Sequence, residues 1–336
     1  MYAKRRTHII IIASPIAIVL SLLCFPFYTA QSDLTSIPCS PHSLHFNPEN
    51  TDHQIIWHSR IPRVAGAMFI GAALAVSGAL MQGITRNYLA SPSIMGVSDG
   101  SAFIITLCMV LLPQSTSIEM IIYSFIGSAF GAALVFGLAS ILPGGFTPVR
   151  LAIIGTVTSM LLSSLSVALS IYFQISQDLS FWYSARLHQM NPDFLKLAVP
   201  FFATGIITAM ILSKKVTAVS LGDDISKSLG QQKRTIKLMA MAAVVILTGS
   251  SVALAGKIAF VGLVVPHITR FLVGSDYSRL IPCACIIGGV FLTLCDLASR
   301  FINYPFETPI EVVTSIIGVP FFLYLIKRKG GDQRGA

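Results

Sequence analysis

Pro62-Arg63-Val64-Ala65-Gly66-Ala67-Met68-Phe69-Ile70-Gly71-Ala72-Ala73-Leu74-Ala75-Val76-Ser77-Gly78-Ala79-Leu80-Met81-Gln82 is an unbroken apolar run whose one charge, Arg63, stands at its start. A helix that crosses a bilayer needs about 20 predominantly apolar residues, and this run has that length. Gly71, Ala75 and Ala79 fall four apart on one face. Small residues in that pattern let helix backbones approach closely where lipid offers no hydrophobic drive between helices. Gly127 and Gly131 repeat the device further along.

Working outward, runs of similar character recur to both ends of the chain. Expected spans are 9–28, 62–82, 94–112, 118–142, 149–173, 194–212, 236–254, 258–273, 280–302 and 310–326. The chain is therefore expected to be an all-α, polytopic transmembrane protein of about ten helices, forming one membrane domain over 1–336. Composition points the same way. Hydrophobic residues make up 54% and charged residues 11% of the 336 positions, against roughly 25% charged in a soluble domain.

An even number of spans puts both termini on one side. With that side cytoplasmic, seventeen of the 23 Lys and Arg lie inside, and six lie outside: Arg60, Arg63, Arg186, Lys196, Lys257 and Arg300. This bias is the one that sets membrane orientation. The net charge of +9 is spread in short basic clusters between apolar runs, which is not the pattern of a nucleic-acid surface. Lys4-Arg5-Arg6 precedes an apolar stretch, Ile9 to Phe27, longer than the roughly 7 to 15 residues of a signal-peptide core, so a retained first span is expected.

The polar, proline-containing stretch at about 30–59 reads as a long outer loop. Its His42, His45 and His53 have no spacing that fixes a metal geometry. Five of the six cysteines sit in apolar runs as small apolar side chains, and the pair Cys283 and Cys285 lacks a second pair or a histidine to complete a tetrahedral shell. No HExxH, CxxC or GxSxG arrangement occurs, and Gly256-Lys257 lacks the glycine five residues earlier that a phosphate loop requires. No metal, cofactor or catalytic residue is expected. Pro15, Pro62, Pro266 and Pro320 start, kink or break spans. Asp99 reads as a helix cap, Asp296 as the i, i+4 partner of Arg300, and His267 as a packing residue.

Three blocks then carry a resemblance. The first runs from Arg60-Ile61-Pro62-Arg63 through Gly71 to Gln82 and Arg86-Asn87-Tyr88-Leu89-Ala90-Ser91-Pro92 to Gly96-Val97-Ser98. The second is Leu221-Gly222-Asp223-Asp224 to Leu229-Gly230. The third is Gly256-Lys257-Ile258-Ala259-Phe260-Val261-Gly262 to Pro266-His267-Ile268-Thr269-Arg270. With Asp296 to Arg300, Glu311-Val312-Val313-Thr314 and Gly318-Val319-Pro320-Phe321-Phe322, these resemble the FecCD-type permeases for iron-siderophores, haem and cobalamin. The sequence departs from that pattern at Tyr88, where proline is frequent, at Asp99, where asparagine or serine is common, and at Lys257, where proline or a small residue is usual. These departures bear on substrate choice.

The resemblance implies a multi-pass subunit of the bacterial cytoplasmic membrane. Its implied partners are a second permease subunit, two cytoplasmic ATP-binding subunits and an extracytoplasmic substrate-binding protein, and its implied cargo is a ferric siderophore. It implies that Arg60, Arg63 and Arg300 dock the binding protein through glutamates on its two lobes. The longest inner loop, about 213–236, is the expected ATPase-coupling segment, with Leu221, Gly222, Asp223, Asp224, Ile225, Leu229 and Gly230 as its residues. Leu221, Ile225 and Leu229 at i, i+4 and i+8 would give a short helix an apolar edge for a groove on the partner. Arg186 and Lys257 are expected as cations near the substrate entrance, a charge that favours an anionic ligand such as a ferric catecholate. The alternative from another class is an ion-coupled secondary transporter of a small solute, and a membrane-embedded enzyme is a third.

Overall fold

The computed structural model describes residues 56–332, apart from 94–95, 142–147, 184–186, 188–189, 191, 223–225, 227, 229 and 304–305. The expected first span and the histidine-bearing loop up to residue 55 lie outside the described residues. All regular structure among the described residues is helical: a π-helical turn, Ile56–Arg60, then α1 (Ile61–Thr85), α2 (Val97–Leu111), α3 (Ser117–Ile141), α4 (Pro148–Tyr172), α5 (Ser176–Tyr183), α6 (Pro192–Leu221), α7 (Lys233–Ala255), α8 (Val261–Val273), α9 (Tyr277–Ile302) and α10 (Ile310–Asp332).

Six of these are long and apolar enough to cross a membrane, the first counted from His58 to Thr85, and three are shorter apolar helices: Val97–Leu111, Val261–Val273 and Ile310–Leu325. Nine expected spans thus coincide with helices. Several boundaries move by three residues or more, and three of these shifts have a physical reason in the structure. The helix expected from 94 starts at Val97, because Gly96 takes a left-handed conformation with φ 75°. The helix expected from 258 starts at Val261, because Phe260, with φ 67°, breaks the chain there. Its ring fills the notch left by Gly318, where an added Cβ would collide with the ring. The helix expected to end at 212 runs on to Leu221, since Ser213, Val216, Ala218 and Val219 continue a buried face while Lys214 and Lys215 point outward. The part of the expected coupling loop that lies outside α6 and α7 therefore narrows to 222–232, and within it Ser226 and Ser228 are helical.

Helix α1 is the hub. It packs against α6, α7, α8 and α9, with the α9 contact the most extensive. The small-residue pattern explains how. A Cβ added at Gly71 would collide with the Gly288 carbonyl oxygen on α9, and one added at Gly78 would collide with that of Gly262 on α8. A second bundle forms around α2 and α3, where Gly100 and Gly127 face each other with equally little room. Helix α4 and the surface of α10 turn large apolar side chains outward, among them Val157, Leu161, Ile316 and Leu323, as a protein surrounded by hydrocarbon requires.

Candidate functional site

At the end of the bundle where α1 starts and α9 finishes, the arginines meet. Pro62 occupies the first turn of α1, a position that costs no hydrogen bond, and so places Arg63 within the opening of the helix. Arg63 is only 8% exposed. Its Nε donates to both carboxylate oxygens of Asp296 at 3.1 Å, its Nη2 donates to Asp296 Oδ1 at 2.9 Å, and its Nη1 donates to Glu307 Oε1 at 2.7 Å. From the next turn of α9, Arg300 donates through Nη2 to Asp296 Oδ2 at 2.5 Å. One buried carboxylate thus holds two guanidinium groups, and Glu307, 43% exposed at its side chain, closes the cluster toward the surface. Two cations and two anions leave it neutral. Arg60 sits just before α1 in the π-helical turn, half-buried.

The i, i+4 reading of Asp296 and Arg300 is correct, but sequence reasoning missed Arg63 as the third member and Glu307 as the fourth. Nothing local in the sequence marks Glu307. It follows α9 in a short connection and reaches Arg63 only through the packing of α9 on α1.

A second charge pair lies inside the bundle. Helix α7 ends at Ala255, Gly256 turns with φ 71°, and the chain restarts as α8 at Val261. Lys257 projects from this break and donates to Asp99 Oδ1 at 2.6 Å. Asp99 stands in the first turn of α2, where the helix dipole favours a carboxylate. Glu311, in the first turn of α10, lies in the field of both. Lys257 is therefore matched by Asp99. Arg186, the other expected entrance cation, lies outside the described residues.

The opposite end holds the expected coupling segment. Leu221 closes α6 and is 62% exposed. Gly222, with φ 138°, separates it from the residues beyond, and Gly230, with φ 66°, ends the segment. Asp223, Asp224, Ile225 and Leu229 lie outside the described residues. The support beneath is well defined. Arg86, itself left-handed at φ 52°, donates from Nε to the Val219 carbonyl at 2.9 Å and so satisfies one of the carbonyls that a helix end leaves open. Thr217 accepts from Tyr277 N–H at 3.0 Å, and Asp276 caps α9 through Ser278 N–H. Arg270 donates to Gln82 Oε1 at 3.0 Å and to the Tyr277 hydroxyl at 3.3 Å, and its guanidinium carbon lies 4.2 Å from the centre of the Tyr88 ring. Tyr88 is thus a cation–π platform for an arginine. His267 packs edge-on against Phe271 and Phe321. No cluster of three metal-ligating side chains occurs among the described residues.

Comparison with known proteins fits this arrangement. The model of the FecCD transport family matches residues 11–328. The chain is 82% identical over 335 residues to the iron-uptake system permease protein FeuB of Bacillus subtilis, covering 100% of each. It is 47% identical over 291 residues to the iron(3+)-hydroxamate import system permease protein FhuB of the same organism, covering 87% of this chain and 75% of that one. To the ferric enterobactin transport system permease protein FepD of Escherichia coli it is 33% identical over 283 residues, 84% of each. A solved structure described as an inward-facing metal-chelate type ABC transporter superposes with a TM-score of 0.78 at 27% identity, covering 97% of this chain and 99% of that one.

Proposed function

The chain belongs to the FecCD transport family, so it is a non-enzymatic permease subunit of an ABC transporter, and we propose that it carries a ferric siderophore inward across the bacterial cytoplasmic membrane. The observation that supports this cargo most is the 82% identity, end to end, with an iron-uptake permease. Hydroxamate, citrate and enterobactin systems appear among the more distant relatives, so the chelating chemistry is a finer matter. A catecholate remains our reading of it, but entrance charge no longer argues for one, since Lys257 is engaged by Asp99.

In this reading the Arg60, Arg63 and Arg300 end faces outward and receives a substrate-binding protein, with both termini cytoplasmic. The opposite end, with Leu221, Gly222 and Gly230 above the Arg86 and Arg270 anchors, receives ATP-binding subunits, one for each of two permease subunits. Ion-coupled secondary transport loses its support, because the family draws on a partner ATPase rather than on an ion gradient. The direct test is purification of the tagged full-length chain from its native membrane. The partners expected are a nucleotide-binding subunit, a second permease chain and a binding protein that holds a ferric chelate. Recovery of the chain with a binding protein loaded with a non-chelate solute would overturn the cargo.

A further inference from the structure

Between α3 and α7 runs an apolar groove of about 840 Å³. Ala129, Ala133, Met241 and Val245 are among its walls, and exposed alanines on both helices keep it open. One end is different in character. Near the end of α3, beside Ser140, and at the start of α7, the charged lining residues are Lys233, Arg234 and Lys237. Among the described residues that line the groove none is acidic. From Ala129 to Ser140 the helix rises about 16 Å at 1.5 Å per residue, close to the roughly 15 Å that half of the bilayer's hydrocarbon core measures.

We propose that this groove binds one anionic phospholipid, its acyl chains lying along α3 and α7 and its phosphate held by Lys233, Arg234 and Lys237. Length, apolar walls and a cationic cap at headgroup depth coincide here. Basic pockets between transmembrane helices on the cytoplasmic side attract anionic headgroups, and in the orientation proposed above this end lies at the cytoplasmic leaflet. Long basic side chains suit the boundary, since their stems cover apolar surface while their charges reach the headgroups. A partner's transmembrane helix fits less well, because it would set three cations against hydrocarbon.

The test uses the full-length protein in its assembled importer, stripped with detergent and offered defined lipids, with retention read by native mass spectrometry. Wild type is expected to retain phosphatidylglycerol or cardiolipin over phosphatidylcholine. Lys233→Gln with Arg234→Gln and Lys237→Gln should weaken retention about 100-fold, the product of about a fivefold loss for each cation. Lys233→Arg with Lys237→Arg should retain the lipid, which separates loss of charge from loss of fold. Ala133→Trp, which fills the groove and leaves all three cations in place, should lower retention severalfold. Equal retention of phosphatidylcholine, wild-type retention in the triple variant, displacement by inorganic phosphate, or a groove found covered by another subunit would each overturn the assignment.

Discussion

Lys257 donates to Asp99 Oδ1 at 2.6 Å although 158 positions separate them. Each residue alone would be costly at membrane depth. Together they form one partly buried pair that ties the α7–α8 break to the start of α2.

That coupling is measurable. Asp99→Asn and Lys257→Gln should each destabilise the detergent-solubilised protein, while the double variant should lose less than the sum. A double-mutant cycle on thermal or denaturant unfolding is expected to give a coupling of at least about 1 kcal/mol. Strict additivity would mean that the pair does not form.

Asp296 is the most demanding position in the arginine cluster, since it is 2% exposed and holds both Arg63 and Arg300. Breaking a buried pair by removing one partner costs about 3–5 kcal/mol, so Asp296→Asn should unfold the protein well below the wild-type melting temperature. Glu307→Gln, at the exposed edge, should cost about 1 kcal/mol or less. Equal effects of the two substitutions would contradict the buried and rim roles assigned here.

Docking of the binding protein is probed most cleanly at Arg60, outside the buried cluster. Arg60→Glu should leave folding intact and weaken capture of the binding protein, with the loss shrinking as salt rises. Arg63→Glu confounds docking with collapse of the Asp296 cluster, so it is the poorer probe. Unchanged binding-protein affinity in Arg60→Glu at low salt would remove Arg60 from the interface.

Gly78 meets Gly262 with no room for a side chain. Gly78→Leu is expected to cost about 3 kcal/mol or more, the upper part of the range for overpacking, and to abolish the folded peak in size exclusion. Gly137→Leu makes the matched control, because nothing lies within 4 Å of a Cβ there. Loss of folding in both variants would mean that the substitution itself, rather than the α1–α8 contact, is responsible.

The helices were legible in the sequence because hydropathy acts over whole spans, and the Gly71 and Gly127 faces because small-residue spacing lets helices approach closely in lipid. The features that stayed hidden were tertiary. Phe260 delays the start of α8 only because Gly318, 58 positions on, offers its ring a notch. Arg63 is a buried ligand of Asp296 rather than a bare surface arginine because α9 packs along α1. Lys257 read as an entrance cation because its carboxylate partner comes from a distant helix. Pairings across the bundle leave no periodic trace for a single sequence to show.

ATP-driven import of a ferric siderophore is decided by transport into proteoliposomes that contain the assembled importer. Uptake of the ferric siderophore should require ATP and the loaded binding protein, persist when an uncoupler collapses the ion gradients, and stop when Leu221→Asp removes an apolar contact for the ATPase from the exposed end of α6. Uptake that continues without ATP or the ATPase and collapses with the uncoupler would contradict it.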